Sequence, residues 1–135
     1  MQSQNCPLCA ELENVIWEND FARVLFVLEN SYPILRVVLK KHVQEMSDLA
    51  QNERAEMMKI VFACEAVFRE ILKVDKINLA SLGNVVSHVH WHVIARFQND
   101  AHFPDSIWAA PRRDFLTLKI DRAALQCALI QKLKR

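Results

Sequence analysis

The sequence predicts an α+β domain, an antiparallel sheet of about five strands with one long helix and a C-terminal helix. Three observations carry this. Apolar residues form short alternating or continuous blocks at residues 15–17, 21–28, 34–40, 76–81 and 89–97, the pattern of strands. Between residues 51 and 73 they recur at three- and four-residue spacing instead, the pattern of an amphipathic helix. Finally, the 135 residues are 52% hydrophobic, enough for one real core and too few for two ordinary domains.

In chain order, residues 15–17 and 21–28 pair as strands around the turn Glu18-Asn19-Asp20. Asn30-Ser31-Tyr32-Pro33 punctuates the chain before a third strand over residues 34–40, completing a meander. On the long helix, Met57, Ile60, Val61, Cys64, Val67, Phe68 and Ile71 make one apolar stripe, flanked by Met58, Phe62 and Leu72. Strands at residues 76–81 and 89–97 follow, joined through Leu82-Gly83-Asn84. Residues 98–113 read as loop, 115–120 as a short extra strand, and 122–133 as a closing helix in which Cys127 faces the core. No repeat, low-complexity run or linker divides the chain, so one domain over residues 1–135 is expected. Gly83 is the sole glycine. Most turns must therefore use Asn, Asp, Ser and Pro, and position 83 must need a backbone that other residues do not supply.

Lys and Arg number 17 against 16 Asp and Glu. That near balance lacks the basic excess of a nucleic-acid-binding domain, so no nucleic-acid partner is expected. Arg96, Arg112 and Arg113 could approach a phosphate but read first as solvated surface charges. No stretch approaches the roughly 20 apolar residues of a membrane span, and residues 1–5 lack the layout of a signal peptide. No membrane partner and a cytoplasmic location follow as expectations. The four cysteines then read as thiols or metal ligands rather than disulfides. Cys6-Pro7-Leu8-Cys9 has the CxxC spacing that suits a metal.

The most informative stretch is His88-Val89-His90-Trp91-His92-Val93-Ile94. On a strand, His88, His90 and His92 share one side at intervals of about 6.5–7 Å, while Val89, Trp91 and Val93 face the core. Neutral imidazole is a nucleophile, and a free pKa of about 6.5 leaves it mostly neutral at pH 7. Attack on phosphorus requires a fixed tautomer and hydrogen-bond donors around the phosphate. Neighbouring histidines two residues away supply several of these.

The run matches, without a mismatch, the His-x-His-x-His-x-x signature of the histidine-triad superfamily, in which every x is apolar. Tyr32-Pro33 with Arg36-Val37-Val38, His42 with Met46-Ser47-Asp48-Leu49, residues 76–84, His102-Phe103-Pro104 and Ile107-Trp108 resemble a bacterial branch of it. The resemblance covers residues 1–113 at its widest and leaves 114–135 as a C-terminal extension over the partner, the site or the sheet.

That resemblance implies a nucleotide hydrolase or nucleotidyl transferase. His90 attacks the α-phosphate of a purine nucleotide, a dinucleoside polyphosphate or a nucleoside phosphoramidate, and forms a covalent nucleotidyl-histidine. His92 contacts the phosphate, and Asn78 reaches the same region. Gly83, Asn84 and Val85 form the turn bringing donors to the phosphate, with close backbone approach favouring glycine. Phe26 and Leu28 line the base pocket, and Glu29 holds the ribose hydroxyls. No cofactor is required for catalysis. Relatives with the N-terminal cysteine pair hold a structural zinc, here matched by Cys6, Cys9, His42 and His88. Family members are usually homodimers, and Met58, Phe62 and Leu72 suit such a contact. Two other readings of the histidine run stay open: a nucleotide-sensing module with little catalysis, and a metal-dependent hydrolase with the run as ligands.

Overall fold

The computed structural model describes residues 5–115 and 118–134. Strands β1 (Val15–Glu18), β2 (Ala22–Glu29), β3 (Tyr32–Leu39), β4 (Lys76–Ala80) and β5 (His90–Arg96) accompany helices α1 (Gln51–Ile71) and α2 (Arg122–Lys132). The strands form one sheet in the order β1-β2-β3-β5-β4, with neighbours antiparallel. This is the α+β arrangement that the apolar periodicities predict. Of residues 115–120, expected as an extra strand, 116 and 117 lie outside the described residues and the others take no regular structure.

Turn chemistry explains where the strands begin. Asn30 and Ser31 both adopt positive φ, 49° and 71°, between paired Glu29 and Tyr32. A two-residue hairpin loop with positive φ at both positions matches the right-handed twist of its strands. Tyr32 and Pro33 therefore open β3 rather than interrupt the chain. At the first turn, the Asn19 side-chain oxygen accepts from the amides of Phe21 and Ala22 at 2.8 and 2.9 Å. Lys73, at φ 51°, ends α1 in the left-handed conformation. A chain with one glycine closes these turns with Asn, Ser and Lys.

The strand alternation sends Ala22, Val24, Leu35, Val37, Leu39, Val93 and Ala95 to the face covered by the helices. There they meet Met57, Ile60, Val61, Cys64, Val67 and Phe68 of α1, all fully buried. Ile71, at the end of the stripe, is 38% exposed. Helix α2 packs on α1 and β1 and places Leu125, Leu129 and Leu133 in the same core. Asp121 caps it by accepting from the Ala124 amide at 3.1 Å, and Gln126 donates to the Ile16 carbonyl at 3.0 Å. The α2 part of the C-terminal extension therefore caps the helix-side face of the sheet. Cys127, expected in the core, lies on the exposed side of α2. No helix among the described residues is long and apolar enough to cross a membrane.

Candidate functional site

The other face of the sheet carries the polar chemistry. Along β5 the same alternation puts His90, His92, Ile94 and Arg96 on that face. Arg36 of β3 lies directly across from His92 in the register. His88 precedes the strand rather than belonging to it, which divides the histidine run.

His90 and His92 stay together, with ring centroids 5.1 Å apart. The His90 Nδ1 lies 2.6 Å from the His88 carbonyl oxygen. A carbonyl only accepts, so Nδ1 carries the proton and Nε2 keeps its lone pair. Ser81 fixes the same residue from β4's end by donating to the His90 carbonyl at 2.7 Å. His92 is buried to 8% exposure. That burial, with the charges of His90 and Arg36 adding to it, lowers its pKa to about 4. It is neutral at pH 7.

Both rings face a cavity of about 500 Å³. The expected Glu29, Gly83, Asn84 and Val85 line it, and so do Leu8, Arg36, Leu82, Val86 and Trp108. Trp108 stands edge-on to His92 at 5.7 Å, and its indole N–H points to Glu29 Oε1 at 3.5 Å. Arg36 and Glu29 form an ion pair at 3.5 Å. Gly83 has φ 76°, yet a Cβ there would meet nothing nearer than 3.7 Å. The left-handed backbone of the turn therefore accounts for the glycine without any crowding from the chain's own atoms.

Three expected site residues are not among the cavity's lining. Phe26 and Leu28 alternate with Glu29 along β2 and so project from the opposite face. Phe26 packs against the helix-side core, and Leu28 is 51% exposed. The placement of both beside Glu29 is corrected by the period of two. Asn78 sits on β4 opposite Ile94, and its side-chain oxygen accepts from Arg96 Nη1 at 2.7 Å.

Arg96 itself is 1% exposed rather than a surface charge. Its Nε and Nη2 donate to the two oxygens of Asp100 at 2.8 and 3.1 Å. Tyr32 donates its phenol proton to Asp100 Oδ1 at 3.0 Å, and its oxygen lies 2.7 Å from His102 Nδ1. Burial alone would raise the Asp100 carboxyl. Arg96 and the backbone amides of Phe97, Phe103 and His102 outweigh it and hold the carboxyl well below the usual carboxylate range. Arg113 donates to the carbonyls of Asp100 and Phe103 at 2.6 and 2.8 Å, while Arg112 pairs with Asp105 at the surface. The loop of residues 97–113 is thereby clamped to the sheet. The signal for this was present: Arg96 continues the His90–His92 alternation, and Asp100 follows four residues later.

On the cavity's other flank, Cys6, Cys9, His42 and His88 bring four ligand atoms within 4.8 Å of one another. Cys6 Sγ and Cys9 Sγ lie 3.4 and 3.5 Å from His88 Nδ1, and Cys9 Sγ lies 3.3 Å from His42 Nδ1. The two Nδ1 atoms are 3.0 Å apart. His88 is fully buried, and its Nε2 donates to the Leu39 carbonyl at 2.6 Å. Its proton is therefore on Nε2, and its Nδ1 lone pair faces the thiols. Burial lowers the pKa of His88, which keeps that lone pair available. Two cysteines and two histidines form a closed tetrahedral set for zinc. Among the described residues this is where metal-binding side chains converge; His90 and His92 take no part.

The chain resembles solved histidine-triad proteins over most of its length. One from Bradyrhizobium japonicum is 30% identical, with a TM-score of 0.71 and coverage of 88% of this chain and 89% of that one. One from Marinobacter aquaeolei VT8 is 24% identical, with a TM-score of 0.70 and coverage of 89% and 88%. A zinc-bound histidine-triad protein from Mycobacterium smegmatis shares the fold at 22% identity and a TM-score of 0.66, covering 94% of each chain. No curated protein matches the chain. The HIT domain family model matches residues 11–99, from the strand pair that carries Glu29 through the whole histidine run. On that match the chain belongs to the histidine-triad (HIT) family.

Proposed function

We propose that the chain is a nucleotide hydrolase or nucleotidyl transferase that attacks the α-phosphate of a purine nucleotide through His90 Nε2. The observation that carries this is the 2.6 Å hydrogen bond from His90 Nδ1 to the His88 carbonyl. It fixes the tautomer that a nucleophilic imidazole needs. In the first step the Nε2 lone pair forms an N–P bond as the bond to the leaving group breaks. A polyphosphate departs as its anion, whereas an amine departs with a proton taken from solvent, which the attacking water returns in the second step. Water then attacks phosphorus, breaks the N–P bond and releases the nucleoside monophosphate. His92, kept neutral, offers an N–H to a phosphate oxygen. The turn of Gly83, Asn84 and Val85 borders the phosphate, and Glu29 accepts from the ribose hydroxyls. Asn78 acts on this region through Arg96 rather than by contact.

The test is turnover of adenosine polyphosphates and phosphoramidates by wild type and His90→Ala together. The variant should lose activity by on the order of 10⁴-fold or more. Full activity in the variant refutes the assignment. Nucleotides recovered intact from wild type, with a raised melting temperature, would leave a sensing module.

We also propose that Cys6, Cys9, His42 and His88 hold a structural zinc. The complementary lone pairs described above support it. The ion would tie the N-terminal turn Pro7–Cys9 to the base of the histidine run. With no open position it supplies no chemistry to the substrate. Finally, we propose a homodimer through edge strand β4 and the 56%-exposed Phe62 of α1. Met58 and Leu72, also expected there, are partly buried against the chain's own core. Sedimentation equilibrium at the mass of one chain would rule the dimer out.

A further inference from the structure

We propose that Trp108, on the loop after the histidine run, is the platform on which the nucleobase stacks. This rests on the nucleotide reading above and assigns its base subsite. Phe26 and Leu28 of β2 do not reach the cavity, because Phe26 belongs to the helix-side core and Leu28 projects from that same face. The cavity instead gathers Trp108, Leu82 and Val85 around His90, at 44%, 56% and 98% exposure. Large apolar side chains left open together beside polar catalytic groups mark a ligand surface.

The position of the indole selects the base rather than the leaving group. Glu29 is the acceptor assigned to the ribose hydroxyls, and Trp108 Nε1 lies 3.5 Å from its Oε1. In a nucleoside the base is attached at the carbon next to the 2′-hydroxyl. A ribose held by Glu29 therefore carries its base to the indole. The platform is also rigid. Ile107, beside it, is 1% exposed in a small core with Tyr32, Ile34 and Ile94. The Arg96–Asp100 pair clamps the start of the same loop. A stacking surface fixed before binding loses little freedom when the base arrives.

Calorimetric titration of AMP and of ribose 5-phosphate into wild type, Trp108→Leu and Trp108→Phe tests the assignment. Trp108→Leu should weaken AMP about tenfold, the scale of one lost base–aromatic stack. It should change ribose 5-phosphate by less than about twofold, and Trp108→Phe should recover most of the AMP affinity. Unchanged AMP binding in Trp108→Leu overturns the platform while leaving the nucleotide reading intact. So does an equal loss for both ligands, which would make the indole a support for Glu29. If wild type binds neither ligand, the nucleotide reading fails and this assignment with it.

Discussion

Two buried polar clusters flank the His90–His92 cavity, and they are stabilised in different ways. In the Arg96–Asp100–Tyr32–His102 cluster, each carboxylate oxygen meets donors and the phenol proton has an acceptor. It is complete in itself. In the Cys6–Cys9–His42–His88 cluster, the ring nitrogens and sulfurs point at one another, which suits an ion at the centre. A satisfied network needs only its own residues, whereas converging lone pairs need a cation. The first fixes the loop that carries Trp108, and the second fixes the residue whose carbonyl orients His90.

The comparison can be broken in three places. The largest expected effect is at Asp100, where Asp100→Ala leaves a buried guanidinium unpaired. Denaturant unfolding should show a loss of about 3–5 kcal/mol, and a loss below about 1 kcal/mol would mean that the pair is not a clamp. Next comes the metal. A zinc-loaded protein should gain about 2.7 kcal/mol when free zinc is roughly 100 times its dissociation constant, read as a melting temperature that chelator lowers and zinc restores. Cys9→Ser should abolish that response. One that survives in the variant would move the ion elsewhere.

The third place is His92, between the two clusters. Its folded pKa of about 4 lies below the unfolded value of about 6.5. Above pH 6.5 neither state binds the proton and stability is flat. Between about 6.5 and 4 the unfolded chain binds it and the folded chain does not, so stability falls as pH falls. The loss should be at most about 3 kcal/mol across that window, at about 1.36 kcal/mol for each pKa unit. His92→Phe should flatten this part of the pH–stability profile. An unchanged slope would place the titration on another histidine.

Much of this was legible in the chain, for identifiable reasons. The helix stripe from Met57 to Phe68 and the strand alternation are set by burial on one face, so they appear directly as periodicity. The histidine run was legible as a motif, and the resemblance already set His88 apart with the cysteines, but the strand boundary between His88 and His90 was not legible. That division depends on where the β5 ladder begins, at His90, which pairing with β3 and β4 decides. Phe26 shows the opposite failure. Counting in twos from Glu29 would have placed it on the helix side, but the resemblance pulled it toward the site. Trp108 and Arg36 belong to the family resemblance, which implies no role for either. Their approach to His92 comes from tertiary folding of a loop and a strand far apart in sequence.

The docking of α2 has a consequence for how the protein is made. Gln126 bonds to Ile16, and Leu125, Leu129 and Leu133 complete a core begun by the first strands. The edge β1 thus waits for residues synthesised about 110 positions later, as the contact order of that pairing requires. On the ribosome, the sheet can assemble through β5 while its first strand stays uncovered. A nascent chain held before residue 121 would present that apolar face to chaperones, and release of α2 closes it.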